Sequence, residues 1–575
     1  MNVHPKGTKA RILLTSVFGP YAQDDEFGSR KINPMELYQN QVTRFQGAFS
    51  LRMFHRSFGL MLIQNNIDAP CTLLDFPSMD RFIRELENND YDIVGISGIV
   101  SNVGKIIKMC ELVRQALPQA TIVIGGHVAN MSEIHELADA DHVVKGDGVR
   151  WFRKYLGQDH DAPVRHPMAY SGIATRTMGI TLRDNPGDTA AILVPSVGCP
   201  LGCNFCSTSA LFGGKGKFIN FYETGDALFE VMSGLEKQLK VQSFFILDEN
   251  FLLHRKRALR LLELMEANFK SWALYVFSSA RVLKSYSIEQ LIGLGISWVW
   301  MGLEGRKSRY QKLNGVDTHA LVKTLQSNGI RVLGSSIIGL ENHRPEEMDQ
   351  VIEDAVVHGT DFHQFMLYIP IPGTPLYNEH KAAGTLLDPS EFSWADAHGQ
   401  YRFNYHHPHI TDGMEEKYIR KAFIRDFEMN GPSLARLIRT QLTGWLKYRR
   451  HFDQRIRKRF QFENRTLGTS YAGAVWAMRK WCIRDDRLFK KMDALLKDLY
   501  RAFGWKAKLS APLIGRFLWL TLKREEKRLA DGWSYEPPTH YERNPAAQAI
   551  ADATTTAEKY SAGTPKWVTC KPHPV

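Results

Sequence analysis

Cys199, Cys203 and Cys206 fall in one short run, Val197-Gly-Cys-Pro-Leu-Gly-Cys-Asn-Phe-Cys-Ser-Thr208. Three thiolates on one loop can hold three corners of a cubane iron-sulfur cluster and leave the fourth iron open to an outside ligand. A structural zinc site competes with this reading, but it needs a closed set of four ligands, usually from two C-x2-C units, and the chain has no second pair. Cys71, Cys110, Cys482 and Cys570 are scattered along the sequence and do not make a disulfide framework, which fits a reducing, cytoplasmic setting.

Strands and helices alternate on both sides of the loop. Between residues 1 and 165, Arg11–Val17, Asp92–Gly98, Thr121–Gly126 and Asp141–Gly146 have the length and β-branched content of strands, and Gly104–Leu117 has the apolar spacing of an amphipathic helix. This alternation predicts a Rossmann-like parallel sheet with a ligand beyond the carboxyl ends of its strands. Those ends carry small residues, Ser97-Gly98, Gly125-Gly126-His127 and Gly146-Asp147-Gly148, which let a bulky group approach the backbone. Between 189 and 384, six more strands are predicted at 191–194, 243–247, 272–277, 298–301, 332–338 and 364–369. In parallel β/α barrels the chemistry lies at the carboxyl ends of the strands, where Asp248-Glu249-Asn250, Arg281, Glu304 and Pro370–Thr374 fall.

The C-x3-C-x2-C spacing resembles the signature of the radical S-adenosylmethionine (SAM) enzymes, and the section before it resembles the cobalamin-dependent branch of that family. The resemblance implies an α/β protein with three parts: an N-terminal Rossmann-like cobalamin-binding domain, a partial (β/α)6 radical SAM barrel and a mostly helical C-terminal domain. It implies a 4Fe-4S cluster on Cys199, Cys203 and Cys206, and cobalamin at Ser97, Gly98, Gly125, Gly126, His127, Gly146, Asp147 and Gly148. For SAM it implies Phe205 against the adenine, the Asp248, Glu249 and Asn250 segment at the amino group, Arg281 at the carboxylate and Glu304 at the ribose. The fifth barrel strand departs from the family pattern at Gly339-Leu-Glu341, so only backbone contact is expected there. Residues 1–165 also lack the Asp-x-His-x-x-Gly run that corrinoid carriers place beneath cobalt; Asp361-Phe-His363 begins like it, without the glycine and in another segment.

The activity implied by the resemblance is C-methylation of an unactivated carbon. An external one-electron reductant drives cleavage of SAM to a 5′-deoxyadenosyl radical, and cobalamin supplies the methyl group. A radical cyclase or oxidative rearrangement enzyme with the same cofactors is the alternative. A cobalamin-binding sensor or carrier, which needs no cysteine loop, is the alternative of another class.

The section from 394 to 533 reads as helical. Leu434–Phe460 carries nine Lys/Arg against one acid, interleaved with Leu437, Ile438, Leu442, Trp445, Ile456 and Phe460, and Leu513–Arg528 repeats the idea. Either these helices pack on the barrel with their arginines solvated, or they attach peripherally to anionic membrane and serve a lipid or hopanoid-like substrate. The +12 formal charge suits either reading, and with no RNA-binding module in the sequence no nucleic-acid partner is expected. No window reaches the ~18 apolar residues of a spanning helix. His406-His-Pro-His409 reads as a loop, and 536–575, with no apolar periodicity, as a mobile tail.

Overall fold

The structure is a computed structural model that describes residues 2–31, 41–304 and 315–552. Strands β1 (Ile12–Ser16), β2 (Cys71–Asp75), β3 (Ile93–Ser97), β4 (Thr121–Gly125) and β5 (His142–Val143) lie parallel in the order β2-β1-β3-β4-β5. The order reverses between β1 and β3, and open sheets bind ligands in the crevice at that switch point. β2 was not anticipated, because Cys-Thr-Leu-Leu-Asp has little β-branched content. It ends in Asp75, whose carboxylate accepts hydrogen bonds from Ser57 N (2.7 Å) and Ser57 Oγ (2.8 Å) and fixes the entry to helix α1, Phe58–Asn65. Helices α2 (Val103–Ala116) and α3 (Gly148–Tyr155) follow β3 and β5.

The second sheet is the partial barrel. Strands β6 (Ala191–Leu193), β7 (Ser243–Ile246), β8 (Ala273–Phe277), β9 (Ile296–Gly302), β10 (Arg331–Ile338) and β11 (Phe362–Leu367) are all parallel, each beside its neighbour in the chain. Side chains alternate across it. Phe244, Ile246, Leu274, Val276 and Val299 are buried in the core beneath the outer helices, while Phe245, Tyr275, Phe277, Trp298 and Trp300 point the other way and form an aromatic inner wall.

One expectation fails at the C-terminal end. Residues 536–543 are not a tail: strand β12 (His540–Arg543) pairs antiparallel with β2 and closes that edge of the first sheet. Glu536 accepts from the backbone N–H groups of Tyr21 and Ala22 at 2.7 and 3.1 Å, and Asn544 Oδ1 accepts from Cys71 N at 3.0 Å. Main-chain pairing at a sheet edge needs no apolar periodicity, so the sequence carries no sign of it. The last part of the expected tail, 553–575, lies outside the described residues.

The C-terminal section opens with the helix Met414–Asn430 and continues with α4 (Ser433–Tyr448), α5 (Gln454–Glu463), α6 (Ala472–Trp481), α7 (Asp486–Phe503) and α8 (Trp505–Ala530). Of the two readings of 434–460, the helices follow the one in which they pack on the barrel, with the difference that several of their arginines are buried. α4 and α5 bury Leu437, Ile438, Leu442, Ile456 and Phe460, and their buried arginines are neutralised by carboxylates rather than by solvent. Arg436 pairs with Asp426 at 2.8 Å, Arg455 with Asp453 at 3.1 Å, and Glu463 with Arg331 of the barrel at 2.6 Å. Among the described residues no helix is long and apolar enough to cross a membrane.

α8 is tied back to the body by one buried carboxylate. Glu525 accepts from Arg176 Nε at 2.9 Å and Arg52 Nη1 at 3.1 Å, with a further contact from Arg176 Nη2. Removing an acid from such a site leaves buried cations unpaired, at about 3–5 kcal/mol. Glu525→Ala is therefore expected to release α8, seen as loss of hydrogen-exchange protection over 505–530 and early proteolysis there; unchanged protection would contradict this assignment.

Candidate active site

The cysteine loop follows strand β6 and is shaped by two turns. Gly198 and Gly202 adopt φ of 88° and 60°, and a Cβ on Gly202 would lie 2.4 Å from the Lys215 Cα. Gly202 N donates to Cys199 O (3.2 Å), Cys206 N to Cys203 O (3.0 Å) and Ser209 N to Cys206 Sγ (3.4 Å), so the turns bring the three thiols near enough to act on one another electrostatically. Burial pushes the Cys199 thiol up to about 11, with the neighbouring Cys203, Cys206 and Glu249 adding to it, and the Cys206 thiol is raised for the same reasons. Acidic groups buried side by side in this way favour a cationic partner, which is what a metal cluster provides. The donor set fits a cluster with three protein ligands.

The loop touches the first domain directly. His127 Nε2 and Thr208 Oγ1 are hydrogen-bonded at 3.1 Å, and Asn130 Nδ2 donates to Ser207 O at 3.0 Å. Burial lowers the His127 pKa and so favours the neutral ring. The loop after β11 closes on the same point, since a Cβ on Gly373 would meet Asn130 O at 2.5 Å.

Between the two sheets lies a cavity of about 580 Å³ with mostly apolar walls. Ser97, Gly125, Gly126, His127, Gly146, Asp147 and Gly148 line one side; Thr208, Leu211, Asp248 and Glu249 line the other. It lies beyond the carboxyl ends of β3, β4 and β5 and extends over Leu14 and Gly95 on the face of the sheet. Gly125 leaves open space where a side chain would stand, whereas Gly126 (φ 82°) is sterically required, a Cβ there falling 2.5 Å from Gly98 O. Gly98 turns away from the cavity, against Ile106. Asp147 also serves as the N-cap of α3, accepting from Arg150 N at 2.9 Å. A glycine-walled apolar cleft fits the face of a large, flat cofactor.

Asp248 and Asn250 turn out to be braces. Asp248 Oδ2 accepts from Ser196 Oγ at 2.6 Å and Arg257 Nη2 at 2.5 Å, while Asn250 joins the β7 loop to Ser278 and Ser279 after β8. Glu249 differs. Its Oε2 is buried with no hydrogen-bond partner among the described residues, and burial pushes its pKa up to about 7. Such an acceptor fits a cationic ammonium group. Glu304 is buried at the end of β9 with φ 54°, Arg281 is exposed on the short helix Ala280–Lys284, and Phe205 packs edge-on to Tyr368 beside Ile337 and Leu376. None of Asn250, Arg281, Glu304 and Phe205 lines the cavity.

Sequence reasoning missed the deep wall of the cavity. Leu14, Phe58, Leu62, Ile63, Gly95 and Phe152 come from three strand and helix layers that meet only in the fold. Gly95 alone left a signal: a glycine inside Ile93-Val-Gly-Ile marks close approach, and a Cβ there would lie 2.7 Å from Leu14 Cδ2.

Residues 52–155 match the B12 binding domain, and 193–355 match the Radical SAM superfamily. The chain thus carries a B12 binding domain followed by a radical SAM domain. The two matched domains are in keeping with cobalamin and SAM as the cofactors such a site would take. It is 24% identical over 394 residues to an uncharacterized methyltransferase, PH0819, of Pyrococcus horikoshii, covering 62% of this chain and 83% of that protein. It is 21% identical over 360 residues to a bacteriochlorophyllide d C-8(2)-methyltransferase of Chlorobaculum tepidum, covering 58% and 77%. Anaerobic magnesium-protoporphyrin IX monomethyl ester cyclases of Rubrivivax gelatinosus and Cereibacter sphaeroides are also similar, at 22% and 23%. Among solved structures, the radical SAM methyltransferase TsrM of Kitasatospora setae with cobalamin and a [4Fe-4S] cluster bound is similar at 15% identity and a TM-score of 0.49, covering 79% of this chain and 99% of that one.

In this radical SAM protein the two neighbouring glycines separate fold from binding. Gly125→Leu is expected to keep the melting temperature of the wild type and weaken cobalamin binding at least about tenfold. Gly126→Ala, in a backbone region reserved for glycine, is expected to lose stability by about 1–3 kcal/mol. Corrinoid absorbance after gel filtration and thermal melts read the two effects; full cobalamin retention by Gly125→Leu would remove the cavity from consideration.

Proposed function

We propose that this enzyme transfers a methyl group to an unactivated carbon of a hydrophobic substrate held against the barrel's inner wall. The observation that carries it is the single cavity shared by the β3, β4 and β5 strand ends, the cluster loop and Glu249. When bound, the cluster supplies the electron that cleaves SAM to a 5′-deoxyadenosyl radical, and cobalamin supplies a methyl group by one-electron transfer. An external one-electron reductant is required.

The chain's own residues position and exclude. Cys199, Cys203 and Cys206 hold the cluster, Glu249 accepts from the SAM ammonium, Arg281 pairs with its carboxylate, Glu304 accepts from the ribose and Phe205 packs on the adenine. Asp248 and Arg257 keep the Glu249 backbone in place from below. Ser97, Gly125, Gly126, His127, Gly146, Asp147 and Gly148 border the cobalamin, with Gly98 shaping the turn behind them. The substrate's apolar character is supported by Phe277, which lines the cavity and stacks on Trp300 at 5.1 Å, with Phe245 at 5.7 Å from the same ring. One polar feature stands beside this wall: Trp300 Nε1 donates to Ser335 Oγ (2.8 Å), which donates to Gln364 Oε1 (2.7 Å). Few polar groups on an aromatic wall orient a large apolar ligand without binding it through charge.

The test is anaerobic reconstitution with iron and sulfide, then addition of strong reductant and SAM. The wild type is expected to form 5′-deoxyadenosine, and Cys203→Ala to bind no cluster. Glu249→Gln is expected to keep the cluster absorbance and weaken SAM binding by about 10–100-fold, the worth of a charge-assisted hydrogen bond. Extracts of a deletion strain are expected to lack methylated apolar metabolites; a product with a new ring and no added methyl carbon would instead establish the cyclase reading.

A further inference from the structure

We propose that helix α8 is a docking surface for an anionic lipid bilayer. α8 has two apolar faces. The inner one, Ala507, Ala511, Gly515, Leu518 and Leu522, is buried against α6 so closely that a Cβ on Gly515 would lie 2.5 Å from Trp476, and one on Gly473 would lie 2.6 Å from Ile514. The outer one is uncovered: Trp505 is 72% exposed, Leu509 60%, Leu513 68%, Phe517 58% and Leu520 50%. These five recur every three or four residues and form one stripe along the helix. Rotation cannot hide them, because the inner face is already fitted to α6.

The charge around the stripe selects the occupant. Lys506, Lys508, Arg516, Lys523 and Arg524 are exposed on the same helix, and no acidic residue occurs between 505 and 524. Lys480 and Lys523 both place their ammonium groups over the Trp519 ring, at 4.1 and 4.0 Å. Apolar rings and chains with cations beside them are what a helix lying in a headgroup layer requires: the apolar groups enter the acyl boundary while the long basic side chains reach anionic headgroups. A second copy of the chain is the poorer fit, since a two-fold contact through this stripe would bring its own cations together. The inference stands on the surface alone and does not depend on the reaction proposed above.

Co-sedimentation of the full chain with phosphatidylcholine vesicles, alone or with phosphatidylglycerol, tests this. Wild type is expected to sediment with the anionic vesicles at least about tenfold more than with the neutral ones. Leu513→Glu with Phe517→Glu, two exposed positions whose change leaves the core intact, is expected to abolish the binding. Arg516→Gln with Lys523→Gln is expected to weaken it by about fivefold per residue and to reduce its salt dependence. Failure to bind either vesicle overturns the proposal. So does vesicle binding that Leu513→Glu with Phe517→Glu leaves unchanged, or a concentration-dependent dimer that this pair abolishes while vesicles are ignored.

Discussion

The arrangement of the active site depends on the seam where the cluster loop meets the first domain. Reaction between two bound partners demands placement within an ångström or so, because small displacements cost orders of magnitude in rate. Here the two parts are separate sheets that share one apolar cluster, in which Ile192 and Val194 of the barrel pack with Ile12, Leu73 and Val123 of the first sheet, and apolar contact alone would fix their distance poorly. The His127–Thr208 and Asn130–Ser207 hydrogen bonds, with the close approach of Gly373, give the seam direction as well as proximity. Each bond is worth only about 1 kcal/mol, so their contribution is geometric rather than a matter of stability.

The carboxylates beyond β7 divide along similar lines. Asp248 is saturated by Arg257 and Ser196 and acts as a fixed anchor, while its neighbour Glu249 is left with an unmet buried oxygen and a raised pKa. A buried acceptor without a partner is unfavourable for folding and is tolerated where a ligand completes it. Adjacent residues of the same chemical type thus have opposite roles, which follow from which face of the strand end each leaves by.

That division was not legible in the sequence, where Asp248, Glu249 and Asn250 read alike. The cysteine loop was legible because its information is local: spacing alone brings three thiols together. The barrel strands were legible because outward residues such as Phe244 and Ile246 alternate with inward Phe245 at a period of two. β12 was not, since edge pairing by main-chain hydrogen bonds leaves no side-chain pattern. The carboxylate partners of the α4–α5 arginines were hidden for the same reason. Periodicity marks an amphipathic helix, but whether Asp426 and Glu463 will meet its arginines depends on contacts far away in the chain. The deep cavity wall, built from Leu14, Gly95, α1 and α3, is likewise a product of packing.

The C-terminal helices do more than cap the barrel. Glu525 on α8 holds Arg52, which begins the short strand Arg52–Phe54; that strand leads within three residues to Ser57 on the cavity wall, itself fixed by Asp75. The outer surface of α8 and one wall of the cavity therefore belong to a continuous rigid path of buried ion pair, strand and hydrogen-bonded turn. A surface attached through α8 would hold the cavity at a fixed distance and orientation, which for an apolar substrate drawn from that surface shortens the search without any change in the chemistry.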